Sequence, residues 1–201
     1  MKIDWKKQCF LSIWMKWEKL FQTFFHLKPL DEKNHFLYTR VRAYRGKTIQ
    51  LADGEKIRKG DCIVELHLNN ALLFKMRTET RSSVRLAVQM IRATEQSLPK
   101  ILPFLLTHSS YQNVKGVYGV SLLHRGAEQF GFTVMDLPKG IFSLCTRIYL
   151  RTLLLIVHPQ GKQRLQFKTH LLTPKIIAIS TRELTRRYPI ESSLKREKEN
   201  D

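Results

Sequence analysis

Residues 54–70 read GEKIRKGDCIVELHLNN, and this run constrains the fold more than any other. It spells a turn, a short strand, a second turn and a long strand. Successive side chains on a strand point to opposite faces. Cys62, Val64, Leu66 and Leu68 therefore share an apolar face that suits a core, and Asp61, Glu65, His67 and Asn69 share the other, with Ile63 among them. A carboxylate, an imidazole and an amide in one row, with Asn70 at its end, are the densest chemistry in the sequence. The row is a candidate site and not a catalytic signature; it names no reaction.

The flanking segments set the fold class. Residues 36–44 alternate as a strand, with Arg40, Arg42 and Tyr44 on one side. Arg45-Gly46, Asp53-Gly54 and Lys59-Gly60 are turn signals, so residues 36–70 are expected to form an antiparallel meander. Residues 82–108 carry a helical apolar stripe. Ser82 or Thr80 can cap its start, and Pro99 is expected to kink it or divide it, with Ser97 capping the second part. A strand over 114–123, a short helix over 125–130 closed by Gly131, a strand over 132–137 and a helix over 141–157 follow. Residues 162–173 read as partly extended. A strand over 175–179 leads into a helix opened by the capping box of Ser180 and Glu183. The order gives an α+β (mixed α/β) fold: a single sheet with an N-terminal antiparallel meander and helices mainly on one face.

Residues 5–27 form an amphipathic helix that holds all three tryptophans, Trp5, Trp14 and Trp17, beside several lysines. Such a helix either docks on protein or lies in a membrane interface. The expected organisation is an N-terminal helix over 1–30, an α+β domain over 36–188 and a charged, disordered tail over 189–201. No apolar run reaches membrane-spanning length, and the N-terminus lacks a signal-peptide pattern. The expected location is the cytoplasm, with peripheral attachment at the inner face of the membrane.

The net charge of +18 calls for an anionic partner, either a membrane surface or an anionic glycan, with nucleic acid a weaker alternative. No acid occurs from residue 137 to residue 182, so a basic surface is expected there. Cys9, Cys62 and Cys145 are dispersed and odd in number, against a disulfide framework, and Cys62 and Cys145 sit in apolar sequence. The catalytic candidates are His67 and Glu65: a carboxylate two positions from an imidazole can tune its proton or fix its tautomer. Asn69, Asn70, Arg40 and Arg42 are the substrate-binding candidates, provided that the first strand lies beside the second. His124 and Glu128 share a spacing of four, but no third ligand accompanies them, so no metal site is expected. Glycine-rich phosphate loops, HExxH and GxSxG are absent, and no cofactor is expected.

Three segments, LADGEKIRKGDCIVELHLNN (51–70), GVSLLHRGAEQFGF (119–132) and PKIIAISTREL (174–184), resemble the YkoP-like domain family of spore-forming bacteria. The resemblance covers roughly residues 36–188. It implies a cell-envelope context, because such domains stand alone or follow polysaccharide deacetylases, and it assigns no catalytic residue. The Asp-Asp and His-x-x-x-His metal motifs of a deacetylase are missing here, so any part in deacetylation is that of an accessory to an envelope enzyme. The leading expectation is an accessory or binding domain in envelope polysaccharide or glycolipid metabolism. The alternatives are an enzyme acting on a sugar or sugar-phosphate with His67 as general base, and a nucleic-acid-binding protein.

Overall fold

The alternation over residues 62–68 becomes an inner strand of a mixed sheet. The computed structural model describes residues 5–31, 35–80, 82–107, 113–121, 124–157 and 173–189. Their elements are α1 (Trp5–Phe24), β1 (Lys28–Pro29), β2 (Leu37–Ala43), β3 (Ile49–Gln50), β4 (Lys56–Ile57), β5 (Cys62–Leu68), α2 (Asn70–Glu79), α3 (Ser83–Ser97), α4 (Ile101–Thr107), β6 (Val114–Ser121), β7 (Thr133–Asp136), α5 (Ile141–Val157), β8 (Lys175–Ser180) and α6 (Thr181–Arg187). Turns of 3₁₀ helix lie at Leu98–Lys100 and Ala127–Phe130. The readings made for residues 162–172, for most of the charged tail and for Cys9's side chain fall outside the description.

The main sheet has the order β1-β2-β5-β6-β8-β7. Only β5 and β6 run parallel; the other neighbours are antiparallel. The fold is α+β, as expected. Within the meander, β2 pairs directly with β5, while β3 and β4 pair only with each other and stand off as a two-stranded ribbon. The ribbon turns at Gly54, whose φ of 86° favours glycine.

One face of the sheet carries the main core. Leu37, Val64, Val117 and Ile179 pack there with Leu73, Leu98, Ile101, Leu102 and Leu184 from α2, the 3₁₀ turn, α4 and α6. The opposite face is covered in two parts. At one end the ribbon buries Ile49, Leu51 and Ile57 against Tyr44, Ile63, Tyr118 and Ala178. At the other end α1 lies over the polar row, with the Phe21 ring 5.9 Å from the His67 ring and the Phe25 ring 4.7 Å beneath the Arg40 guanidinium. The N-terminal helix therefore docks on the protein through one of its sides.

Local details follow the sequence with two corrections. Ser82 caps α3 and Ser180 caps α6 by accepting the amides of Arg85 and Glu183. Ser97 does not cap; its hydroxyl turns back to donate to the Ala93 carbonyl at 2.7 Å, and Leu98–Lys100 form the 3₁₀ joint before α4. Cys145 is exposed rather than set in an apolar interior, and Cys62 is half-buried; both are free thiols.

Candidate functional site

The ion cluster at the centre of the site follows directly from strand register. Arg40 lies opposite Glu65, and Tyr38 opposite His67, across the β2–β5 ladder. Residues directly opposite share a face and approach closely. The Glu65 carboxylate accepts from Arg40 Nη2 at 2.8 Å, and from Arg42 Nε and Nη2 at 2.7 and 3.0 Å. Arg42 thus grips both oxygens in a fork, the strongest geometry open to this pair. His67 Nε2 stands 3.6 Å from Glu65 Oε2, too far for a hydrogen bond. Burial alone would push the Glu65 carboxyl up. The imidazole and the Arg42 fork reverse this, and the group lies well below the usual carboxylate range. On the far side Arg42 stands over Tyr118, whose hydroxyl burial pushes up to about 12.

A cavity of about 900 Å³ lies over this cluster. It opens where the parallel pair parts. The β5–β6 ladder ends at Glu65 and Tyr118; beyond it, Leu66–Leu68 pair only with β2, and Gly119–Ser121 only with β8. Space at the carboxyl ends of parallel strands is a recurrent ligand position. Arg40, Arg42, Glu65 and His67 line one end, and apolar side chains that include Leu86, Met90 and Phe130 line the other. His67 Nε2 and Arg40 Nε are buried in this lining without a hydrogen-bond partner in the protein.

The two asparagines have different fates. Asn69 leaves the polar row and caps α2: its Oδ1 accepts from the Leu72 amide, and its Nδ2 donates to the His35 carbonyl. It does not line the cavity. Asn70 does, and its Nδ2 donates to Glu18 at 2.9 Å and to the Tyr149 hydroxyl at 3.2 Å. Tyr149 in turn donates to the second oxygen of Glu18 at 3.2 Å and stacks on Trp14. This buried triad ties α1, α2 and α5 together over the site. Burial pushes the Glu18 carboxyl up, against the opposing pull of its hydrogen bonds.

The sequence reading missed the triad and α2. Both left a signal. Asn69 is a strong N-cap residue. Glu18 is the one acid of α1, at helical spacing from Trp14, Phe21 and Phe25, where an apolar stripe would want none. Asp61 sits outside the site and accepts from the Arg58 amide. His124 and Glu128 do not converge on a third ligand; among the described residues no group of three His, Cys, Asp or Glu could hold a metal ion. Burial and the nearby Lys175 and Arg125 push the His124 imidazole down. Residues 158–172 of the acid-free run, with Lys162, Arg164 and Lys168, lie outside the described residues.

Comparison with known proteins adds the family. No solved structure matches the chain. The "Uncharacterized protein YkoP" of Bacillus subtilis (strain 168) is 32% identical over 140 residues, which cover 69% of this chain and 76% of that protein. The family model described as the YkoP domain matches residues 7–188, and so takes in α1, the polar row on β5 and the Ser180 cap of α6. A match of that extent, with a relative at that identity, makes the chain a member of the YkoP domain family.

Proposed function

We propose that this protein is an accessory ligand-binding domain of cell-envelope polysaccharide or glycolipid metabolism, attached at the cytoplasmic face of the membrane by the outward side of α1. The observation that supports it most is the cavity over the Arg40–Glu65–Arg42 cluster. Its charged groups are committed to one another in a way that fixes their geometry and favours holding a ligand. A carboxylate already gripped by two arginines is a poor proton acceptor. The envelope context comes from the family resemblance, and the attachment from Ile13, Trp17, Leu20 and Phe24, which leave an apolar stripe exposed along α1.

A second reading is an enzyme acting on a sugar or sugar-phosphate, with His67 as general base and Glu65 orienting it. The unpartnered, buried Nε2 of His67 favours it. The two readings separate in a screen of the full chain against nucleotide sugars, sugar phosphates and peptidoglycan or chitin fragments, with His67→Ala and Ile63→Ala beside it. The binding reading expects complexes without turnover, weakened by His67→Ala, whose melting stays near that of the parent. Ile63→Ala, at a fully buried position, should lose about 2–5 kcal/mol, the usual range for a core isoleucine. Product formation abolished by His67→Ala moves the protein to the enzyme reading. Binding that His67→Ala leaves untouched removes both.

A further inference from the structure

We propose that the cavity takes an amphipathic anion: a single long hydrocarbon chain that ends in a phosphate or other acidic head. This rests on the binding reading above and names its ligand class. Two guanidiniums share one carboxylate at the polar end, so among the described residues one positive charge there lacks a counter-charge. Arg40 and His67 both line the cavity, and their buried Nε and Nε2 have no hydrogen-bond partner among the described residues, so neither side chain is saturated by the protein. Glu18, the other carboxylate of the lining, is taken up by Asn70 and Tyr149. The opposite end is walled by Leu86, Met90, Leu98, Phe130 and Ile177. A neutral lipid would leave the charge unpaired, and a small soluble anion would leave the apolar wall wet; a molecule with both parts satisfies both ends. The volume, about 900 Å³, lies near the top of the range of about 300–1,000 Å³ for small-molecule pockets.

The surroundings fit a ligand drawn from a lipid surface. Trp17 and Ile91 are exposed and also line the cavity. Trp17 belongs to the outward stripe of α1, and Ile91 to a second exposed stripe, Val84, Val88 and Ile91, on α3. A third runs along α5 at Ile141, Leu144 and Ile148. Their spacing of three and four places each on one side of its helix.

The test is calorimetric titration of the full chain with dodecyl phosphate below its micelle concentration, beside dodecyl maltoside, inorganic phosphate and glucose 1-phosphate. Dodecyl phosphate should bind at least about tenfold tighter than each of the others, since the charged head and the chain both contribute. Arg40→Gln should cost about tenfold against dodecyl phosphate and leave dodecyl maltoside unchanged. Arg40 is the residue to change because Glu65 keeps the Arg42 fork. Circular dichroism checks its fold, and Arg40→Lys, which keeps the charge without the guanidinium, replaces it if Arg40→Gln unfolds, with an intermediate loss expected. Dodecyl maltoside binding as tightly as dodecyl phosphate overturns the acidic head. Glucose 1-phosphate or phosphate binding as tightly overturns the hydrocarbon chain and leaves the binding reading intact. Dodecyl phosphate affinity unchanged in the Arg40 variant overturns the placement of the head. Failure of every probe removes the inference, while the binding reading is decided separately by the screen of nucleotide sugars, sugar phosphates and glycan fragments.

Discussion

Glu65 and Glu18 are two carboxylates that both feel His67, and their surroundings push them in opposite directions. Glu65 is held low by His67 and Arg42 against its burial; Glu18 is raised by burial. The signs of their pH effects follow. The folded state holds the Glu65 proton more weakly than the unfolded chain, where a glutamate titrates near about 4.3. Its stabilisation is present above that pH and is lost as pH falls towards the lower folded value. The folded state holds the Glu18 proton more tightly, so its cost is absent at low pH and enters as pH rises through the raised value. Glu65→Gln should therefore lower stability at neutral pH by about 3 kcal/mol, the low end for a broken buried ion pair, because the guanidiniums keep a quarter of their surface in solvent. That deficit should shrink below pH about 4.3. Glu18→Gln should melt increasingly above the parent as pH rises. Melting curves from pH 3 to pH 8 decide it; pH-independent differences for both variants would contradict these assignments.

The helices and strands show what pattern alone could reach. Gly116 and Gly119 on β6 suggest a bulge or the close approach of another backbone, and the β5–β6 register does shift between the Cys62–Val114 and Ile63–Gly116 pairs. A Cβ on Gly116 would meet the Ile179 carbonyl oxygen at 2.5 Å, whereas on Gly119 it would find contacts of 3.4 Å or more. Gly116→Ala should destabilise by about 1–3 kcal/mol, as overpacking against rigid backbone does, and Gly119→Ala by much less. Equal losses in denaturant titration would show that the β6–β8 spacing is not what limits Gly116. The strands of β5 and β6, the ribbon turn at Gly54 and the cap at Ser180 were all legible, since each depends on nearest neighbours in sequence. The pairing of Arg40 with Glu65 was legible only as a condition, because register across a long connection is set by tertiary packing. The Glu18–Asn70–Tyr149 triad joins residues separated by 52 and 131 positions, and no local pattern encodes that. On α1 the sequence left docking on protein and lying in a membrane interface as alternatives for one amphipathic helix. Its apolar residues divide between two neighbouring sides: Trp14 and Phe21, with Phe25 just past the helix, face the protein beside Glu18, and Ile13, Trp17, Leu20 and Phe24 face outward.

At the scale of the whole molecule, that outward stripe is what the proposed membrane attachment rests on. Among the described residues no helix is long and apolar enough to cross a membrane. Surface attachment needs apolar area together with attraction to anionic lipid, and the chain carries a net charge of +18. The triple variant Ile13→Ser, Leu20→Ser, Phe24→Ser keeps the inward contacts of α1, so it should melt close to the parent yet float poorly with vesicles of phosphatidylglycerol and phosphatidylethanolamine. Undiminished flotation of a folded triple variant would remove α1 as the anchor.

The parting of β5 and β6 has a mechanical consequence. The sheet consists of two leaves, β1-β2-β5 and β6-β8-β7, bound along a short spine between Cys62–Glu65 and Val114–Tyr118. Past the spine no ladder pairing joins the two leaves: Leu66–Leu68 pair only with β2, and Gly119–Ser121 only with β8. Anything lodged in the cavity touches residues of both leaves at once, among them Glu65 and His67 on one and Val120 and Ile177 on the other. Occupancy would then stiffen the spine like a wedge in the gutter of a book, and the slowing of amide exchange would spread into β8, a strand that such a guest touches at Ile177.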